Sequence, residues 1–312
     1  MDKIIVVAGP TCVGKTEYAV KLAQILNGEI VSCDSMQIYK YMDIGSAKPS
    51  KEELKSAKHH LVDFVDPAEK FSVAEYQKVA RKAIKEIINN GKIPIVSGGT
   101  GLYLNSLLYD MDFSGADSDM EYRKELEETA KIKGSEYLHD MLKKLSSDKA
   151  REIHPNNFKK IIRALEIIKI TGEEGRPFSQ IKEQNSDFEA IIICLNRERE
   201  DLYERINKRV DILIKKGLIE EVSKLKDMGL SYDDISMKGI GYKEIIAYLN
   251  NEYDLRTAVE SVKKNTRRYA KRQITWFKRY KNARWFDISG LESDEIIRDI
   301  LSYLKETGIY VG

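Results

Sequence analysis

Apolar positions in the first hundred residues alternate between two registers. Residues 4–8 (IIVVA) form an unbroken apolar run, the pattern of a strand buried on both faces. After a glycine-rich stretch, residues 16–26 place Ala19, Leu22, Ala23 and Leu26 at helical spacing, with Gly28 where such a helix stops. Residues 29–33, 60–65 and 93–97 read as three more strands. Residues 72–90 carry a long helical pattern opened by Ser72 with Glu75 three positions on, a capping box that satisfies two orphan amides. Strand and helix patterns in series predict an α/β fold, a parallel sheet flanked by helices.

From 114 to 187 the pattern is helical only, bounded by the polar stretches SGADSD and GEEGRPFSQ. Its clearest helix covers 157–170, preceded by His154, Pro155 and Asn156 and ended by Thr171 and Gly172. Residues 189–195 (EAIIICL) read as a strand returning to the sheet. Helices follow over 198–228, 242–250 and 255–280, then a short strand at 284–287 and a helix at 293–306. The expected organisation is a core domain of 1–113 and 188–312 interrupted by an all-helical insert of 114–187. No internal repeat or low-complexity segment breaks this arrangement.

Composition narrows the class. With 42% hydrophobic and 33% charged residues, 19 Gly and 6 Pro among 312, the chain is neither collagen-like, mucin-like nor mainly disordered. Cys12, Cys33 and Cys194 form no CxxC pair, against a disulfide framework and a zinc ribbon alike, and a reducing compartment is expected. His59 and His60 lack a third His or Cys at ligand spacing, so they are assigned to the entry of a strand. No apolar stretch approaches the roughly 18 residues of a membrane span, and no signal peptide is evident; the expectation is a cytoplasmic protein and a monomer. The formal charge is +2, yet residues 256–286 hold eleven Lys/Arg against one acid, Glu260, a local +10 on a body of −8. A solvated helix face normally mixes both signs, so this segregation favours a polyanion-binding surface.

Three stretches carry chemistry. GPTCVGKT comprises Gly9, Pro10, Thr11, Cys12, Val13, Gly14, Lys15 and Thr16, and matches GxxxxGK[ST] between a predicted strand and a predicted helix. In that context the loop amides and the helix N-terminus hold di- or triphosphate oxygens, Lys15 adds a point charge and Thr16 a hydroxyl for Mg²⁺. Asp34 and Ser35 emerge at the carboxyl end of the next strand, where sites of open α/β sheets lie; they read either as a base or metal neighbour or as a capping pair. SGGTGLY, residues 97–103, follows the fourth strand where many nucleotide hydrolases place an acid, and none is present. Its glycines and Thr100 fit close backbone approach to a ligand or a plain tight turn.

Together these stretches resemble the tRNA dimethylallyltransferase family. The residues that carry the resemblance are GPTCVGKT at 9–16, DSMQIY at 34–39, DIGSAKP at 43–49, HHLVD at 59–63 and FSVAEYQ at 71–77. Further along stand GGTGLY at 98–103, IHPNN at 153–157, RALE at 163–166, GIGYKE at 239–244 and TRRYAKRQITWF at 266–277. They span almost the whole chain, and their order is far more specific than the phosphate loop alone. Cys12 and Val13 stand where the family more usually has Ala-Ser, Ser46 where it has Thr, Asn157 where it has Asp, and Lys160 where it has Arg. Lys160 keeps charge but not bidentate geometry.

The resemblance implies a P-loop NTPase-like sheet whose loop binds dimethylallyl diphosphate, and transfer of the dimethylallyl group to N6 of the adenine 3′ of the anticodon. By the same resemblance Asp34 is the base, Thr11 and Thr100 line the channel, and Arg205 and Arg209 bind the diphosphate; four residues apart on one helix, the two arginines also fit a surface pair. Asp34, Ser35, Met36, Gln37 and Thr100 would hold the target base. Arg123, Lys159, Lys160, Ile161, Ile162 and Arg163 of the insert, and Lys238, Gly239, Ile240, Gly241, Tyr242 and Lys243 of the core, would contact the tRNA anticodon stem-loop. A P-loop kinase and an RNA-binding nucleotide switch are the rival classes; the basic tail weighs against the first, Asp34 and the missing acid against the second.

Overall fold

The apolar runs of the first third form the middle of one parallel sheet. The computed structural model describes residues 2–111, 119–172 and 187–309. Among them, β1 (Asp2–Ala8), α1 (Lys15–Ile25), β2 (Gly28–Cys33), α2 (Lys51–Ser56), β3 (His59–His60), α3 (Val73–Asn89), β4 (Ile93–Gly98) and α4 (Gly101–Leu108) are followed by four helices of the insert. These are α5 (Met120–Lys133), α6 (Ser135–Leu145), α7 (Ser147–Glu152) and α8 (Phe158–Thr171). The core resumes with β5 (Phe188–Asn196), α9 (Arg199–Lys215), α10 (Leu218–Asp227), α11 (Tyr242–Leu249), α12 (Leu255–Phe277), β6 (Arg284–Asp287) and α13 (Ser293–Glu306).

Strand order is β3-β2-β4-β1-β5-β6 and every pairing is parallel. β1 is central, and Ile4 to Ala8 are fully excluded from water or nearly so, which explains a run with no polar alternation. From β1 the chain winds toward β2 on one side and later returns as β5 on the other. The carboxyl ends of β1, β2 and β4 therefore open at a topological switch point, where loops can enclose a ligand. The core beneath is built from Val7, Leu22, Ile30, Ile95, Ile193 and Ile206 among others.

The chain divides into one unit of Met1–Leu108 with Asn185–Gly312 and a second of Tyr109–Gln184, against the 114–187 expected for the insert. The second unit has its own apolar core of Leu126, Leu138, Leu142, Ala150, Ile161, Ile162 and Leu165. The stretches read as its bounding loops fall almost wholly outside the described residues.

Three expected elements differ. The strand expected over 60–65 shrinks to His59–His60, because Leu61 and Asp63 take left-handed backbone (φ 62° and 60°) and end the ladder. Phe64 and Val65 donate to Ile38 O instead, bringing this segment against the turn that follows β2. The helix expected over 198–228 breaks at Gly217 (φ 100°), which frees α10 to take its own direction. The helix expected to reach 280 ends at Phe277. α2 and α4 were not legible in the pattern, whereas α3 opens with the Ser72–Glu75 capping box its sequence announces.

Candidate functional site

The loop from Gly9 to Thr16 leaves β1 and turns into α1. Gly9 is held so close to β5 that a Cβ there would stand 2.6 Å from Leu195 O. Gly14, the N-cap of α1, has φ 113° and supplies no side-chain cap, so the first-turn amides of α1 are free of side-chain capping there. Lys15 donates to Pro10 O (2.8 Å), curling its ammonium back over the loop. Burial lowers its pKa to about 8, with the Asp34 carboxylate pulling the other way.

Thr11, Cys12, Gly14, Lys15 and Thr16 line a pocket of about 260 Å³ together with Asp34, Gln37, Lys48, Gly98 and Arg209. Asp34 Oδ1 accepts from the amides of Met36 (2.9 Å) and Gln37 (3.4 Å). One oxygen thus caps the turn, as the capping reading expects, and among the described residues Oδ2 has no hydrogen-bond partner. Thr100 Oγ1 accepts from Ser35 N (3.0 Å), and Thr100 N donates to Cys33 O (3.1 Å), tying the loop after β4 to the end of β2. Gln37 spans the base of the turn, accepting from Ser32 Oγ and donating to Ala47 O.

The glycines after β4 answer to protein, not to a ligand. A Cβ on Gly98 would lie 2.1 Å from Cys33 O, one on Gly99 2.2 Å from Gln273 Nε2, and one on Gly101 2.5 Å from the Trp276 ring. The close approach expected of a ligand is made by β2 and α12.

α9 stands behind the phosphate loop. Arg205 Nε donates to Cys12 O (3.2 Å), and Arg209 Nη1 lies 3.9 Å from Cys12 Sγ. The spacing of four therefore serves the loop, with Arg209 in the pocket lining and Arg205 bracing the loop's backbone. Arg197, at the exit of β5, likewise donates to Val13 O (3.1 Å) and pairs with Asp201 (2.9 Å); the sequence reading passed over it.

The opposite wall, the DIGSAKP stretch, is held by a carboxylate from α10. Glu221 accepts from the amides of Asp43 (2.9 Å), Ile44 (2.7 Å) and Gly45 (2.9 Å) and from Tyr242 Oη (2.8 Å). Lys48 closes the loop with 2.6 Å bridges to Asp43 and Asp63. Tyr242, expected at the RNA surface, is wholly buried: it takes the Ser46 amide and packs on Gly45, and burial raises its pKa well above the usual value. Gly241 is buried as well; Gly239 packs on Met36, Ile240 is partly exposed, Lys238 is exposed, and Lys243 pairs with Glu244 (3.6 Å).

In the insert, Ile161 and Ile162, expected to contact the tRNA, belong to the core. Lys159 and Lys160 are exposed in the first turn of α8. Arg123 and Arg163 both pair with the carboxylate of Glu166, at 2.8 and 2.6 Å, and that carboxylate is fully buried. One buried charge thus orients two arginines, and the pair retains a net positive charge.

His60 lies in β3, as assigned. Its Nε2 meets Glu29 (2.6 Å), which Lys58 and Lys92 also bridge, and among the described residues no group of three His, Cys, Asp or Glu can hold an ion. The basic helix α12 buries Ala270 and Phe277, and Lys271 and Lys278 are exposed. It also turns Tyr269, Gln273 and Trp276 toward the loop after β4. Burial raises the Tyr269 hydroxyl pKa, with Asp34 adding to the effect, and Trp276 Nε1 donates to Asn105 Oδ1 (3.3 Å).

Comparisons with known proteins identify the family and the fold. The model of the IPP transferase family matches residues 37–280. A tRNA dimethylallyltransferase of Clostridioides difficile is 52% identical over 305 residues, 97% of this chain and 98% of that protein. The crystal structure of a full-length tRNA isopentenylpyrophosphate transferase from Bacillus halodurans superposes with a TM-score of 0.75 at 43% identity, covering 98% of this chain and 96% of the other. A eukaryotic dimethylallyltransferase captured acting on tRNA gives 0.83 at 29% identity, over 97% and 80%. The sheet has the P-loop NTPase-like fold of these neighbours. Within the sheet-containing unit the phosphate loop, Asp34 and Gly98 line one pocket, the bacterial relatives match over nearly their whole length, and the chain belongs to the IPP transferase family of tRNA dimethylallyltransferases.

Proposed function

We propose that this chain transfers the dimethylallyl group of dimethylallyl diphosphate to N6 of the adenine 3′ of the anticodon in tRNA, releasing pyrophosphate. Dimethylallyl transfer to a tRNA adenine is the activity of the family. The observation that carries the assignment of the site is that the phosphate loop and Asp34, from the ends of separate strands, line one pocket.

In the step, the adenine amino nitrogen forms a bond to the allylic carbon while the bond from that carbon to the diphosphate oxygen breaks. The electron pair leaves with pyrophosphate and the amino proton passes to Asp34. Charge develops on the leaving oxygens, where loop amides, Lys15 and Arg209 stabilise it. Arg205 keeps the loop in shape from behind. Asp34, Ser35, Met36, Gln37 and Thr100 hold the base, which must leave its stack to expose the amino group.

The residues fit Mg²⁺ that arrives with the diphosphate. The described residues hold no three-ligand cluster to bind it alone, and the Thr16 hydroxyl at the start of α1 supplies one oxygen beside those of the substrate. Such an ion neutralises charge on the diphosphate. Arg123, Lys159, Lys160 and Arg163 of the insert and Lys238 and Lys243 of the core grip the anticodon stem-loop through its phosphates.

No described helix is long and apolar enough to cross a membrane, and the site of action is the cytoplasm. Purified protein incubated with tRNA, Mg²⁺ and labelled dimethylallyl diphosphate, with ATP in a parallel arm, tests the reading: label must appear in tRNA at the anticodon-adjacent adenine. Phosphoryl transfer from ATP without prenylation would refute it.

A further inference from the structure

Gln273 sits in the last two turns of α12, 262 residues from the phosphate loop, and is 5% exposed. Its amide is engaged at both ends. Oε1 accepts from the backbone N–H of Thr11 (2.8 Å), and Nε2 donates to the carbonyl of Gly99 (2.9 Å). A backbone N–H only donates and a carbonyl only accepts, so the amide orientation is fixed by its partners. Thr11 lies in the loop that faces the diphosphate. Gly99 precedes Thr100, which is hydrogen-bonded to Ser35 beside Asp34.

One side chain thus spans the loop that holds the leaving group and the loop that holds the acceptor base. The glycine at 99 is explained by the same contact. A Cβ there would stand 2.2 Å from Gln273 Nε2, and no positive φ demands glycine at this position. The Thr11 amide, moreover, points at Gln273 and is spent on this contact.

We infer that Gln273 is a positioning residue for the transfer, a strut that sets the separation of the two substrate loops. The inference rests on the function proposed above. Without the strut each loop keeps its own ties: Lys15 to Pro10 and Arg205 to Cys12 on one side, Thr100 to Cys33 and Ser35 on the other. Each substrate is then still bound, while their mutual approach is lost. A misplacement of about 1 Å between reacting groups costs roughly 10²-fold in rate.

The test uses the full chain. Gln273→Met keeps the length and packing of the side chain and removes both hydrogen bonds. Per folded molecule, its kcat should fall roughly 10²-fold while KM for dimethylallyl diphosphate and for tRNA each stay within about threefold. An unchanged kcat, or a loss confined to KM or to the melting temperature, would overturn the inference. A second arm keeps it open to refutation if packing suffers. Gly99→Ala, which drives a methyl into the strut, should lower kcat in the wild-type background and add little in a Gln273→Ala background; equal losses in both would show that the effect bypasses Gln273. A wild-type chain that does not prenylate tRNA would overturn the function and the inference together, whereas an active wild type with indifferent variants overturns the inference alone.

Discussion

Asp34→Asn separates the turn cap that the structure shows from the base proposed for this carboxyl. Oδ1 caps the turn at Met36 (2.9 Å) and Gln37 (3.4 Å), and the amide oxygen of Asn accepts the same bonds. The turn loses the charge-assisted part of one good hydrogen bond, about 1 kcal/mol of stability. Oδ2 is replaced by an NH₂ group that cannot take a proton from the adenine. A positioned base contributes roughly 10²–10⁴-fold, or about 3–5 kcal/mol at the transition state, several times the structural cost. Single-turnover transfer with enzyme in excess over labelled diphosphate, at saturating tRNA, reads the chemical step, and filter binding reads tRNA affinity. Transfer should fall by roughly 10²–10⁴ with affinity within about threefold. Near-normal transfer would reduce Asp34 to a cap. Lost affinity with a normal rate at saturation would make it a recognition residue only.

Three further outcomes follow from the same geometry. Burial places the Lys15 pKa at about 8 in the ligand-free protein, so pyrophosphate affinity should be level below that pH and fall as the ammonium loses its proton above it; the same fall in Lys15→Ala would assign the titration elsewhere. Replacing the exposed Lys159 and Lys160 together by Ala should reduce the slope of log affinity for tRNA against log salt by about 2, and an unchanged slope would mean that neither meets a phosphate. Burial pushes the Glu29 pKa up, but hydrogen bonds from Lys92, His60 and Lys58 outweigh it and hold the value at about 2 against 4.5. The stability this contributes, about 3 kcal/mol at most, is complete above the unfolded pKa and lost as pH falls through the folded one. Denaturation midpoints of Glu29→Gln and wild type should therefore differ at neutral pH and converge near pH 2; an equal difference at both would refute the linkage.

Much of the core was legible because its determinants are local. The run IIVVA has one use in an α/β chain, and Ser72 with Glu75 states where a helix begins. GPTCVGKT fixes a strand, a loop and a helix at once. What was not legible depends on backbone that breaks a periodic pattern without changing its polarity. Leu61 is apolar and strand-like, yet its left-handed φ ends β3. Gly217 interrupts a helical pattern that continues on both sides of it. Tyr242 stands in a motif with Lys238 and Lys243 and shares their sequence neighbourhood, but its phenol reaches Glu221 on α10, a partner no local pattern names.

The loop after β4 shows the same limit at the site itself. Three glycines, at the end of β4, in the loop and at the start of α4, signal that something comes close to the backbone, and a ligand and a neighbouring element make that demand in identical terms. The strand β2 fills the space at Gly98, Gln273 that at Gly99 and Trp276 that at Gly101. Charge hid this second role of α12. Its lysines and arginines show in composition, with Arg268, Lys271 and Arg272 exposed, whereas Gln273 is a single neutral residue whose partners lie 262 and 174 positions away. The helix that reads as an RNA surface from its charge thus also carries, on its buried side, the contacts that tie the phosphate loop to the segment after β4, so under the proposed function packing of α12 and geometry of the reaction cannot be varied independently.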